Sequence, residues 1–180
     1  MRNIIKIYSS YLFLILISFL FECVFNTFNL EIFHHLIENV LFAIGIICPL
    51  FFLSKIGLRK LYYYISYSIF SIIICFETLY YYIFKTFFSS SAIFVALESN
   101  AGESKEFISS YGDFPILLII IIIFATTIFF LLKRKNEYFI NLESTKKNKL
   151  ILAILFVCIL ISIRVFRLYH YNLPYLIYKS

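Results

Sequence analysis

The stretch LYYYISYSIFSIIICFETLYYYIF, from Leu61 to Phe84, decides the fold class of this chain. It carries two tyrosine triplets, which begin at Tyr62 and Tyr80 and are therefore separated by roughly 27 Å along an α-helix. That separation is close to the ~30 Å thickness of the hydrocarbon core of a bilayer, and tyrosine favours both membrane interfaces. The pattern predicts a transmembrane helix.

The composition extends this prediction to the whole chain. The 180 residues are 62% hydrophobic and only 14% charged, which excludes an ordinary soluble domain. Because about 20 apolar residues cross the hydrocarbon core, we predict an all-α polytopic membrane protein with five transmembrane helices and short periplasmic interfacial helices. One transmembrane domain, residues 1–180, contains the predicted spans 7–25, 36–53, 61–84, 114–132 and 150–168.

The basic residues predict the orientation, because loops rich in Lys and Arg remain in the cytoplasm. With five spans, most of the 16 basic residues fall on one side of the membrane: Arg2, Lys6, Lys55, Arg59, Lys60, Lys133, Arg134, Lys135, Lys146, Lys147 and Lys149. The polar segment 89–113 falls on the other side. We expect a cytoplasmic N-terminus and a periplasmic C-terminus, and interpret the net charge of +6 as a topology signal rather than as evidence of nucleic-acid binding.

The sequence offers no complete catalytic apparatus. It contains no phosphate-binding glycine loop, no Cys/His cluster with the ligand count of a zinc site and no evident Ser-His-Asp set. His34 and His35 make a poor chelating pair, because adjacent residues of a helix point about 100° apart. The four cysteines lie singly in predicted spans and suit small buried apolar side chains.

The polar segment 89–113 has two interpretations. Asn100 and Glu103 have the spacing of a capping box, which predicts a capped interfacial helix that starts at Ala101. Glu103 and Glu106 would share one face of that helix, where two carboxylates repel each other unless a cation lies close by. The alternative hypothesis is therefore that this face receives the ammonium group of a lipid headgroup.

Three glutamates lie inside predicted spans, near the outer ends. An ionisable residue within the membrane is a functional candidate. Glu77 has two interpretations that we weigh equally, a functional role and snorkelling of its carboxylate to the membrane surface. For Glu22 and Glu38 we favour snorkelling or pairing.

Together these features resemble the N-terminal membrane domain of the bacterial phosphoethanolamine transferases. That family has five spans and, after the third, a segment of the form Thr-Asn-x-x-Glu-small-x-Glu followed by an aromatic residue or Leu. Residues 99–107 of this chain read SNAGESKEF, with Ser99 where Thr is usual. The stretches ETLYYY (77–82) and YNLPY (171–175) also look like the family, so the resemblance covers essentially the whole chain.

The resemblance implies a bacterial inner-membrane enzyme that moves phosphoethanolamine from phosphatidylethanolamine to lipid A or another envelope acceptor, a modification associated with polymyxin resistance. Its threonine nucleophile and its zinc would lie on a periplasmic sulfatase-like domain after the fifth span, a domain that is absent here. We therefore expect no catalytic residue, metal ligand or cofactor on this chain, and expect the chain to be inactive alone.

The resemblance also implies which residues contact the lipid donor. Asn100, Glu103 and Glu106 match the motif that faces the donor, and we add Glu77 as a further substrate-binding candidate. The expected partners are phosphatidylethanolamine and the periplasmic catalytic domain. Two other functions remain open, namely a small non-enzymatic membrane scaffold and a channel or transporter subunit with glutamates along its path.

Overall fold

The computed structural model describes residues 2–25, 29–53, 55–87, 102, 106, 109–110, 112–133 and 139, and for residues 2–5 the backbone alone. This part of the chain is helical: α1 is Arg2–Phe25, α2 is Leu30–Ile47, α3 is Ile56–Phe84 and α4 is Phe114–Lys133, with a short 3-10 helix at Cys48–Phe51. The described residues include four helices long and apolar enough to cross a membrane. On that ground the chain is a multi-pass membrane protein.

Four of the predicted spans overlap these helices, although α1, α2 and α3 begin at Arg2, Leu30 and Ile56 rather than at positions 7, 36 and 61. The largest difference is in α2. The early start has a local cause, because the Asn29 side chain accepts a hydrogen bond from the backbone N–H of Ile32 at 2.9 Å and so caps the helix. The helix gives way to the 3-10 turn where Pro49 removes a backbone donor. The predicted fifth span, 150–168, lies outside the described residues.

Two helices form the centre of the bundle. α1 packs along α3, while α2 packs mainly on α1 and α4 mainly on α3. The ends of α1 and α3 lie at the same end of the bundle as the starts of α2 and α4, since the ring of Phe25 contacts that of Tyr82 and the Tyr82 hydroxyl bonds to Asp113. We name this the distal end; the opposite end is the proximal end.

Aromatic side chains fill the proximal half of the interface between α1 and α3. The ring of Tyr11 meets that of Tyr67 edge-on at 5.1 Å, and Tyr63 stacks on Tyr67 at 5.5 Å. The Tyr63 hydroxyl bonds to Ser10 Oγ at 2.9 Å, which satisfies a polar group that burial would otherwise penalise. These rings are fully buried, so the interior of this half is closed.

The helix α4 joins the bundle through a hydroxyl contact. Thr127 donates to the backbone oxygen of Ile123 at 2.8 Å, so the short hydrogen bond between Ser71 and Thr127 has Ser71 as its donor. Thr127 is buried at the interface of α4 with α3, whereas most of α4 is apolar and exposed. Hydrogen bonds between membrane helices typically contribute about 0.6 kcal/mol and at most about 1.7 kcal/mol.

We expect Thr127→Val to lower the free energy of unfolding by about 0.5–1.5 kcal/mol, because valine keeps the shape but cannot accept from Ser71. The neighbouring Thr126→Val is the matched control, since the Thr126 hydroxyl bonds only within its own helix, to the Ile122 oxygen at 2.7 Å. Unfolding of the purified chain in detergent measures both variants. Equal losses in the two would contradict an interhelical role for Thr127.

Candidate functional site

A buried histidine joins three helices at the distal end. Nδ1 of His35, on α2, lies 3.0 Å from Oε1 of Glu22 on α1, and its Nε2 lies 3.2 Å from Oε2 of Glu77 on α3. Asn39 reinforces this bridge, because its Nδ2 donates to the same Glu77 oxygen at 3.3 Å. The four side chains are 1–2% exposed.

Two hydroxyl groups extend the network along α1 and α3. Ser18 Oγ lies 2.9 Å from Glu22 Oε1 and donates to it. The same hydroxyl lies 2.7 Å from Thr78 Oγ1, and the backbone oxygen of Ile74 lies 2.7 Å from that atom. Because Ser18 donates to Glu22, the single Thr78 proton is shared between Ser18 and the Ile74 oxygen. Ser18, Glu22, His35, Asn39, Glu77 and Thr78 together form what we call the distal network.

The distal network fits two forms of His35. A neutral imidazole donates through one nitrogen only, whereas a doubly protonated ring donates through both. The doubly protonated ring donates to Glu22 and to Glu77, whereas a ring without a proton on Nε2 accepts there from Asn39, whose Nδ2 lies 3.1 Å away. Glu38, one turn from His35 on α2, is also buried at 2% exposure.

Phe87 covers the distal network from the chain that follows α3. Its ring lies 4.6 Å from the ring of His35 and stacks on Tyr81 at 4.5 Å. The cover excludes water from the ionic bridge, and a low local dielectric strengthens the attraction between the imidazolium and its carboxylates. Removing one partner from such a pair leaves an uncompensated charge, which costs about 3–5 kcal/mol.

A rim of polar groups surrounds the end of the bundle. Lys85 follows α3 in the left-handed conformation with φ of 57°, and its Nζ donates to the Phe25 backbone oxygen at 3.2 Å. The same ammonium lies 4.8 Å from the centre of the Tyr82 ring. Tyr82 in turn donates its hydroxyl to Oδ2 of Asp113 at 2.5 Å, and Oδ1 of Asp113 caps α4 through the N–H of Ile116.

The predicted site residues fall in different places. Glu77 is buried in the distal network and does not snorkel to the surface. Glu106 has helical backbone and an exposed side chain, and Ser109 donates to its backbone oxygen at 2.8 Å. Asn100 and Glu103 lie outside the described residues, so the lipid-binding role of the motif stays a prediction.

The sequence interpretation missed His35 and Asn39 as partners of Glu77. A signal was present, because His35, Glu38 and Asn39 recur at i, i+3 and i+4 and therefore share one face of α2. The pairing of that face with Glu22 and Glu77 depends on the register between helices, which no pattern within one helix specifies. Within the described residues, no group of three or more His, Cys, Asp or Glu is arranged to hold a metal ion.

The fold and the site define a class, a multi-pass helical membrane protein whose first three helices are joined by a buried ionic network. Comparisons of the chain with protein-family models, curated proteins and solved structures find no match.

We expect His35→Leu to lower the free energy of unfolding by about 3–5 kcal/mol, because it leaves Glu22 and Glu77 buried without their shared cation. The adjacent His34→Leu is the matched control; His34 is exposed, and its loss should change stability by less than about 0.5 kcal/mol. Detergent unfolding of the purified chain measures both variants.

A double-mutant cycle separates charge from packing. In the His35→Leu background, Glu22→Gln with Glu77→Gln should restore part of the lost stability, because it removes the uncompensated charges. No restoration would mean that His35 contributes through its shape alone.

Proposed function

We propose that this chain is the membrane domain of a phosphoethanolamine transferase and holds the donor phosphatidylethanolamine for transfer to lipid A or another envelope acceptor. In this proposal the distal end faces the periplasm of the bacterial inner membrane. The observation that carries it is the use of Glu77 and Thr78, from the stretch that resembles the family, as buried members of the distal network.

The anchoring of the polar segment supports this proposal. Phe87 precedes the polar segment and packs on His35, while Asp113, the last residue of the segment, is bonded to Tyr82. Both ends of the segment between them are therefore held at the distal end, beside the distal network. A fixed attachment lowers the entropic cost of holding a headgroup near a catalytic face.

The proposed role of the motif is electrostatic. Glu103 and Glu106 attract the ethanolamine ammonium, Asn100 orients the pair, and Glu77 stabilises the helices beneath through the distal network. A carboxylate that accepts a hydrogen bond from an ammonium group gives a stronger contact than a neutral pair does. In this proposal a periplasmic sulfatase-like domain supplies the nucleophile and the zinc, so that domain is a partner in the reaction.

One observation favours a second function, a channel or transporter subunit. Glu22 and Glu77, which lie on different helices, meet at one histidine inside the bundle, as side chains of a proton path do. The stacked rings of Tyr11, Tyr63 and Tyr67 close the interior on the proximal side, which argues against a continuous aqueous path. Proton flux into liposomes that requires Glu77 would favour this second function.

The proposal predicts a headgroup preference in nanodiscs. The purified chain should bind phosphatidylethanolamine in preference to phosphatidylglycerol, and Glu103→Gln with Glu106→Gln should reduce that preference roughly three- to tenfold through the loss of two charge contacts. Glu31→Gln with Glu143→Gln removes the same charge outside the polar segment and should leave the preference unchanged. An unaltered preference in the motif variant would reject the headgroup role.

A further inference from the structure

An open apolar groove runs along the distal halves of α1 and α4. It has a volume of about 430 Å³ and is lined entirely by apolar side chains, within the range of ~300–1,000 Å³ typical of small-molecule sites. The lining residues from α1 include Leu20, Phe21 and Val24, and those from α4 include Phe114, Pro115 and Leu118. The lining is made of hydrocarbon side chains, which suits an acyl chain.

The outer mouth of the groove carries one cation and one carboxylate. Phe25 and Phe114 line the mouth; Lys85 is bonded to the backbone of the first and Asp113 precedes the second. The Tyr82 side chain holds both charges in place, with its ring beside the Lys85 ammonium at 4.8 Å and its hydroxyl donating to Asp113. Both charged side chains are exposed.

These charges have hydrogen-bonding capacity beyond their contacts in the protein. A lysine ammonium has three donors and a carboxylate has about four acceptor sites. Lys85 uses one donor on the Phe25 oxygen, and Asp113 accepts from Tyr82 and Ile116. The mouth therefore presents a donor group and an acceptor group of opposite charge at the distal end of the bundle.

We infer that the groove between α1 and α4 binds a single zwitterionic phospholipid. One acyl chain lies between Leu20 and Leu118, the phosphate accepts from Lys85, and the headgroup ammonium contacts Asp113. An anionic phospholipid with a neutral headgroup would satisfy Lys85 but leave Asp113 without a counter-charge. The two charges at the mouth thus select the class of lipid headgroup, while the apolar lining determines where the acyl chain lies.

The inference stands on the groove and its mouth and needs no transfer activity. Its residues are different from the motif residues Asn100, Glu103 and Glu106, so the two proposals fail separately. If the motif variant loses the headgroup preference while lipid still cross-links to the groove, both proposals are supported. If lipid cross-links to the groove and the motif variant has no effect, only the groove proposal stands.

Photo-cross-linking of the full chain tests the site. The probe is phosphatidylethanolamine with a diazirine near the middle of one acyl chain, at low mole fraction in nanodiscs of phosphatidylglycerol. Cross-links should concentrate on α1 between residues 17 and 25 and on α4 between 114 and 122, and not on the exposed apolar face of α3 around Ile72 and Phe76. Equal labelling of the two surfaces would show annular lipid only and overturn the inference.

A pair of adjacent leucines provides matched variants of the groove. Leu118→Trp fills it and should reduce the cross-links on α1 about three- to fivefold, whereas Leu117→Trp, on the exposed face of α4, should leave them unchanged. Equal effects of the two substitutions would show that the acyl chain does not lie in the groove.

The mouth is tested by competition. Unlabelled phosphatidylethanolamine should displace the probe better than phosphatidylglycerol does, and Lys85→Gln with Asp113→Asn should reduce that difference about three- to fivefold. Asparagine keeps the cap on α4, so the variant removes charge without removing the cap. An unchanged lipid preference would overturn the role of the two charges.

Discussion

The bridge from Glu22 through His35 to Glu77 is the constraint on which the rest of the described structure depends. Two carboxylates placed inside a membrane bundle carry a large desolvation cost, and one imidazolium between them offsets it only when α1, α2 and α3 meet in a single register. That register places Phe87 over His35 and the rim at the end of the bundle.

The two halves of the bundle have different chemistry. Tyrosine rings pack the proximal half, where the Tyr63 hydroxyl bonds to Ser10 and the Tyr11 hydroxyl bonds to Ser66. The distal half holds its helices together with ion pairs and hydroxyl groups, and α4 leaves α1 there to form the groove. A closed aromatic half and a polar, lipid-facing half suit a domain that works at one membrane surface, which is the basis of the donor-holding proposal.

Much of the fold could be predicted because hydrocarbon thickness limits helix length. The prediction for α4 is correct to within one residue, since no charged side chain interrupts it before Lys133, whereas α2 begins six residues before the predicted span and includes Glu31, His34 and His35. Asn29 caps the start of α2, and His35 is paired with Glu22 on α1 and with Glu77 on α3. The position of Glu77 within a predicted span makes it a candidate from the sequence alone. Its partner His35 is not predictable in this way, because the residue pattern of one helix does not specify which side chains of another helix it contacts.

The distal network also constrains how the chain enters the membrane during synthesis. Glu22 arrives with α1, before His35 is available to it, and a charged carboxylate within a membrane span is costly to insert. His35 follows on α2 and neutralises that charge, but then faces Glu77 only after α3 emerges. The three helices therefore stabilise one another only when all three are present. We expect α1 to remain beside the insertion machinery until α3 has been synthesised.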